Sequence, residues 1–389
     1  MELIKHIKAS NILSFGPNGL DLPLGSLNIL IGPNGSGKSN FLELFSLMRA
    51  TPSDVHPVIS PGGGILEWIW KGSSNGEAEM EVLVDYPEGE MPLRHKIIFE
   101  KGQERFRLVD EKIENERRHY SNQTDVKFYY RYQRGRPYIF TNDKERGLKP
   151  DTVAIDASIL SQRSDPEFYP ELTYLASIYK KILLYREWSF GRNSKLRNPQ
   201  PSDQRNDRLD EDFLNLGVFL NRLRRNPKTK NTILEYLRDL YDGLTDFEIN
   251  IVEGGYVQVL FFEGSFAIPS TRLSDGSLRY LCLLAILLDP TPPPLICIDE
   301  PELGLHPDII HKIADLLISA SERTQIVVTT HSRMLIDAMS EHPDNVIVCS
   351  KTNGQSDFQR LNAVELAEWL DKYTLGDLWS MGEIGGNRW

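Results

Sequence analysis

The residues whose types and spacing point most directly to chemistry are Gly32-Pro33-Asn34-Gly35-Ser36-Gly37-Lys38-Ser39, which fill every fixed position of a phosphate-binding loop. An apolar run at 27–31 precedes them and a helix-compatible stretch at 40–50 follows, giving the order strand, glycine loop, helix. Such a loop turns successive N–H groups onto a phosphate chain. The positive end of the following helix adds to the same anion site. Asn34, Gly35, Ser36, Gly37, Lys38, Ser39 and Asn40 are therefore the expected nucleotide-binding set. Within it, Lys38 is expected to reach the β- and γ-phosphates and the Ser39 hydroxyl to ligate Mg²⁺.

Further motifs follow in order. Leu295-Ile296-Cys297-Ile298-Asp299-Glu300 is an apolar strand ending in paired carboxylates, the Walker B arrangement. Asp299 suits Mg²⁺, and Glu300 suits a base that orients the attacking water and accepts its proton. Ahead of it, Leu273-Ser274-Asp275-Gly276-Ser277 opens a helix. A serine hydroxyl, a glycine N–H and a helix N-terminus there make a second anion site; the same residues also suit an ordinary cap, with Ser274 or Asp275 as N-cap. Thr329-Thr330-His331-Ser332 ends another apolar strand and brings His331 to its tip.

The elements that must position these groups can be read from periodicity. Two strand-like runs, 3–11 and 20–31, flank a Gly/Pro/Asn turn, the second leading into the glycine loop. After a Pro/Gly-rich connection at 51–64, short alternating runs at 65–70, 78–86, 93–100, 105–109, 126–132 and 137–141 predict an inserted antiparallel sheet. A strand is expected at 152–162, one helix over 170–188, a polar loop at 189–210, helices at 211–224 and 229–244, and a hairpin turning at Glu253-Gly254-Gly255. From 276 onward helices and apolar strands alternate, as a parallel sheet buried on both faces requires. The strands are 295–299, 325–330 and 345–350, the helices 276–288, 306–321 and 332–339. A further strand at 358–361 and a helix at 363–373 complete the pattern, with 375–389 left to fray or dock.

Composition sets the outer bounds. The chain has 389 residues and a formal net charge of -11, so a nucleic-acid partner must be met by a local basic patch. Two patches are candidates. One is the 186–208 loop with Arg192, Lys195, Arg197, Arg205 and Arg208, continued by Arg222, Arg224, Arg225, Lys228 and Lys230. The other sets Tyr129, Tyr130 and Tyr132 beside Arg131, Arg134 and Arg136. Cys282, Cys297 and Cys349 lie in apolar stretches without ligand spacing and read as buried small hydrophobes of a reducing compartment. No apolar run is long enough to cross a bilayer and the opening residues lack a signal-peptide layout, so a cytoplasmic protein is expected.

The ordered set of glycine loop, Leu273–Ser277, Leu295–Glu300 and His331 resembles the ABC-class ATPases of the RecF/SMC branch, more particularly the compact AAA-15/AAA-21, OLD-like predicted ATPases. The opening Ile7-Lys8-Ala9-Ser10-Asn11-Ile12-Leu13-Ser14-Phe15 is similar to that family's first strand and turn. The resemblance implies an α/β P-loop NTPase of the ABC/SMC head type over 1–389. Its parts are a P-loop region at 1–50, an antiparallel β insertion at 51–150, a helical lobe with the basic loop at 151–264, and the signature, Walker B and switch-histidine region at 265–389. It further implies that His331 contacts the γ-phosphate, that Pro301-Glu302-Leu303-Gly304-Leu305-His306-Pro307 is a D-loop crossing a dimer interface, and that Gln162 links Mg²⁺ and water to the rest of the protein. Asp275 and Ser277 stand where transporter ATPases have Gly and Gln. The stretch between Gln162 and Leu273 is too short and irregular for a coiled-coil arm.

By resemblance, the chain is an ATPase using ATP and Mg²⁺ in a homodimeric sandwich, with Ser274, Asp275 and Gly276 of one chain completing the site of another and higher oligomers open. Members of the group serve in anti-phage defence or DNA repair, beside a separate nuclease or toxin. OLD-type relatives carry a nuclease domain, for which the roughly sixty residues after His331 are too few. An ATP-gated DNA clamp is the alternative, using the basic patches. A transporter subunit is a further one, disfavoured by the Gly-Pro-Asn-Gly loop and the altered signature.

Overall fold

In the computed structural model the described residues are 2–74, 76–102, 105–118, 125–133, 135–141, 144–191 and 194–385. The first two strands, β1 (Ile4–Ser10) and β2 (Leu20–Pro23), pair antiparallel. The apolar run expected as one strand over 20–31 is two, because the Asn28 side chain accepts from the Gly25 amide at 3.0 Å and donates to the Gly25 carbonyl at 2.8 Å. That turn sends β3 (Leu27–Ile31) into a different sheet. Helix α1 (Lys38–Ala50) follows, then two short turns, α2 (His56–Ile59) and α3 (Ile65–Trp68). Residues 65–70 are thus helical at their start and not a strand: Ile65, Trp68 and Ile69 are buried at helical spacing while Leu66 and Glu67 are exposed.

Strands β4 (Glu77–Val84), β5 (Leu93–Gly102), β6 (Arg105–Asn115), β7 (Phe128–Gln133), β8 (Arg136–Thr141) and β9 (Lys144–Gly147) form the expected antiparallel insertion. It joins the N-terminal pair in an eight-stranded sheet of order β2-β1-β4-β5-β6-β7-β8-β9. Residues 152–162 are not a strand. The buried Glu111 carboxylate accepts from the Ser158 hydroxyl and, at 2.9 Å, from the Ile159 amide, which starts the short helix α4 (Ile159–Gln162). The helix expected over 170–188 stops early as α5 (Pro170–Tyr179), and Leu183-Leu184-Tyr185 becomes strand β10 (Leu183–Tyr185), fully buried beside the Walker B strand.

The two-residue strand β11 (Gln200–Pro201), helices α6 (Leu216–Leu223) and α7 (Pro227–Arg238), and strands β12 (Leu244–Val252), β13 (Tyr256–Glu263) and β14 (Phe266–Pro269) make a helical lobe with a small antiparallel sheet. Both helices are shorter than expected. The hairpin turns at Glu253-Gly254-Gly255 as expected.

Then come α8 (Asp275–Leu287), β15 (Leu295–Asp299), α9 (Ile310–Ser321), β16 (Gln325–Thr330), α10 (Arg333–Asp337), β17 (Val346–Thr352), β18 (Gln355–Arg360), α11 (Ala363–Leu370) and α12 (Leu375–Met381). The tail docks: Leu375 and Leu378 are fully buried, and Arg333 pairs with Asp377. The second sheet runs β10-β15-β16-β3-β17-β18, all parallel except the last pair. Its strands bury both faces. Leu30, Leu295 and Cys297 join one apolar cluster, while Ile29, Ile31, Ile296 and Ile298 join another on the opposite side. The three cysteines are buried and free. Among the described residues no helix is long and apolar enough to cross a membrane.

Candidate nucleotide site

Register brings the chemical groups together. Asp299 lies opposite Thr329 across β15 and β16, and Thr330 opposite Ile31 across β16 and β3. Gly32, Glu300 and His331, each the next residue on, therefore leave the sheet side by side at its carboxyl edge, where open α/β sheets hold ligands.

The glycine loop is closely built. Gly37 has φ 106°, and a Cβ there would sit 2.1 Å from Ser356 Oγ, which itself lies 2.7 Å from Ser14 Oγ. Only glycine fits that corner. The Lys38 amine donates to the Gly32 and Pro33 carbonyls at 2.8 and 3.2 Å. Burial pulls its pKa down, opposed by the carboxylates of Glu300, Asp299 and Glu302. Ser36 Oγ is buried within the loop without a hydrogen-bond partner, while Asn34, Gly35 and Ser39 are exposed and Asn40 is half-buried. An orphaned hydroxyl and an amine that, among the described residues, is bonded to its own loop's carbonyls fit a nucleotide's phosphates. Lys38 and the loop amides would hold the phosphates, and Ser39 with Asp299 the Mg²⁺. That ion, when bound, neutralises charge on the phosphate oxygens.

The paired carboxylates are held by their backbones. Asp299 O accepts from Trp188 Nε1 at 2.8 Å, and Asp299 Oδ1 accepts from the Thr329 hydroxyl. Glu300 takes φ 47°, a left-handed conformation rare for a side-chain-bearing residue, fixed by its amide on Thr329 O at 3.0 Å and by Arg279 Nη2 on its carbonyl at 2.8 Å. The Arg279 guanidinium also lies 4.5 Å from the Trp188 ring centre, and burial lowers its pKa to about 10. His331 Nε2 stands 3.4 Å from Glu300 Oε1. Burial, and then the Lys38 charge, lower the histidine's pKa against the opposing pull of Glu300 and Asp299.

Ser274 caps α8, its Oγ accepting from the Ser277 amide at 3.1 Å and lying 2.7 Å from Ser277 Oγ. Arg197 pins the approach. Its buried guanidinium donates to Phe190 O, Thr271 O and Leu273 O at 3.2, 3.3 and 2.6 Å, and pairs with Asp275. A Cβ on Gly276 would lie 3.0 Å from Gly304 O, so the 273–277 turn touches the 301–307 loop of its own chain. Ser274 and Asp275 are exposed, and among the described residues they form no hydrogen bond or ion pair with the glycine loop or the paired carboxylates.

Among the described residues the Gln162 side chain makes no hydrogen bond to the glycine loop or the paired carboxylates. Its amide is occupied by its own turn, accepting from the Ala154 amide at 2.8 Å and donating to the Ala154 and Ala157 carbonyls at 3.0 and 2.9 Å. The residue that follows the edge strand beside Asp299 is Arg186, which donates to Ser39 O at 3.2 Å and pairs with Glu43 at 2.7 Å. Arg186, Trp188, Arg197 and Arg279 are absent from the expected nucleotide-site set, Arg186 and Arg197 entering only the basic loop. Only the apolar triplet Leu183-Leu184-Tyr185 signals a strand leading to the first two.

Several cations of the basic patches have partners within the chain, although Lys195, Arg205, Arg225, Lys228 and Arg136 are exposed. Arg205 pairs with Asp207, Arg222 with Asp289 and Lys230 with Asp246; Arg208 donates to Lys180 O at 3.4 Å and Arg224 to Asn221 Oδ1 at 2.9 Å. Tyr129, Tyr130 and Tyr132 are buried. Arg192 and Arg134 lie outside the described residues.

Comparison with known proteins agrees with this architecture. The chain is 15% identical in sequence to an Smc head bound to the C-winged helix domain of ScpA, with a TM-score of 0.57 over 94% of this chain and 99% of that one. An Smc head with an extended coiled coil, bound to the C-terminal domain of ScpA derived from Pyrococcus furiosus, gives 13% identity and a TM-score of 0.54 over 96% and 99%. These likenesses are of fold. A stretch of 62 residues is 44% identical to the Old nuclease of Escherichia phage P2, covering 15% of this chain and 10% of that protein. A family model matches residues 27–337, from the strand before the glycine loop to the helix after His331. The chain belongs to that family, AAA_21, described as "AAA domain, putative AbiEii toxin, Type IV TA system".

Proposed function

We propose that two copies of this chain close around two ATP–Mg²⁺ molecules, that hydrolysis reopens them, and that the cycle is a conformational switch for a separate effector. The observation that carries this reading is a divided site. Lys38, Ser39, Asp299, Glu300 and His331 emerge from one sheet edge, whereas Ser274 and Asp275 stand exposed, Ser274 bonded to Ser277 and Asp275 to Arg197. Each chain then supplies the machinery for one nucleotide and the second anion site for its partner's. Glu300 orients and deprotonates the attacking water, and neutral His331 hydrogen-bonds the terminal phosphate.

The family's toxin–antitoxin description and the local likeness to a phage nuclease support a setting in anti-phage defence or DNA repair, with a nuclease or toxin as the effector. Light scattering of Glu300→Gln at saturating ATP tests the sandwich. A dimer that forms only with ATP is expected, and a strict monomer overturns it.

A further inference from the structure

Between the paired carboxylates and the D-loop sits a third carboxylate, on Glu302. Its Oε1 accepts from the Thr330 hydroxyl at 2.6 Å and from the His331 main-chain amide at 3.1 Å. Thr330 Oγ1 in turn accepts from the Ser332 amide at 2.9 Å, so one carboxylate oxygen organises the whole turn that carries His331. The other oxygen, Oε2, is buried without a partner. Leaving a carboxylate oxygen so is costly, and an apolar residue of similar size would fill the same space. One residue further along the chain, Leu303 is 57% exposed on the D-loop.

We propose that Glu302 is a positioning residue: it ties the D-loop to the Thr330–His331 turn, so that a partner subunit pressing on Leu303 and Gly304 sets where the His331 imidazole stands. The proposal rests on the reading that the D-loop meets a second subunit. Glu302 does not touch the nucleotide. It acts through two hydrogen bonds, and what it needs for them is an acceptor oxygen at Oε1, not a charge.

The test compares Glu302→Leu, Glu302→Gln and Thr330→Val in the full chain, reading ATP turnover and amide hydrogen exchange of the peptide containing His331. In the Leu variant kcat should fall by about 10- to 100-fold with KM for ATP within about threefold, since chemistry and not binding is disturbed. The Gln variant, whose carbonyl keeps both bonds, should recover most of kcat. Thr330→Val should resemble the Leu variant, and combining the two should cost no more than either alone. Exchange at the His331 amide should quicken in the Leu variant and not in the Gln variant, with or without ATP. Wild-type turnover in the Leu variant, a Gln variant as slow as Leu, or equal exchange in all three overturns the proposal. A wild-type chain that fails to hydrolyse ATP overturns the switch reading instead, and the exchange measurement then decides the role of Glu302 by itself.

Discussion

His331 Nε2 lies 3.4 Å from Glu300 Oε1, and the glutamate reaches it only because its backbone takes φ 47°. The same carboxylate is among the charges that oppose the lowering of the Lys38 pKa by burial. Glu300→Gln keeps the shape and removes the base. Phosphate release should fall by about 10²- to 10⁴-fold, while titration with a non-hydrolysable ATP analogue shows unchanged affinity. Retained turnover would remove Glu300 from the role of base.

His331 should be neutral at pH 7. Its pKa is lowered from 6.5 by burial first and the Lys38 charge second. Between that lowered value and 6.5 the unfolded chain binds more protons than the folded one, so this group's contribution to stability is lost as pH falls through that window. NMR titration of the imidazole should give a midpoint below 6.5, moving upward in Lys38→Met as the repelling charge disappears. A wild-type midpoint above 6.5 would contradict the geometry.

Gly37→Ala and Gly35→Ala separate backbone strain from collision. Both glycines have positive φ, 106° and 78°, but a Cβ at Gly35 meets nothing within 4 Å, whereas one at Gly37 strikes Ser356 Oγ at 2.1 Å. The Gly35 variant should bear only the conformational cost, of about 1–3 kcal/mol. The Gly37 variant should lose more stability and most of its ATP affinity, as thermal melts and binding isotherms would reveal. Equal losses would refute the crowding.

Arg197→Ala should cost about 2–4 kcal/mol, because its removal strands three carbonyls, that of Phe190 buried, which the guanidinium now satisfies. Asp275→Ala, at the exposed end of the same ion pair, should change stability by less than about 1 kcal/mol. Urea midpoints measure both. Arg197→Lys should behave like the alanine variant, since a single ammonium cannot span three acceptors.

What could be read in the chain beforehand was local. The glycine loop, Asp299-Glu300 and His331 each follow a continuous apolar strand, and residues at the tips of such strands gather at one sheet edge. The hairpin at Gly254-Gly255 and the alternating strands of the insertion were legible for the same reason: the pattern and its cause lie within a few residues. The misread stretches are those shaped by distant partners. Glu111, on β6, makes 158–162 a helical turn and leaves Gln162 bonded to its own loop. Leu183-Leu184-Tyr185 continues a helical spacing but is drawn into the sheet by β15. Arg197 looked like a surface cation, although its contacts lie 74 and 76 residues away at Thr271 and Leu273. No local pattern announces that a charged residue will be buried under a loop still to come.

The place of β3 in its sheet bears on when the protein can acquire its pocket. This early strand is flanked by β16 and β17, and the Asn28 side chain donates to Ile326 O across 298 residues of chain at 3.2 Å. Until the last third has left the ribosome, the strand that carries the glycine loop has neither neighbour, and closing so long a loop is slow. The nascent chain consequently holds an unformed cradle, and a pocket fit for phosphates exists only in a molecule whose histidine and carboxylates are already in place.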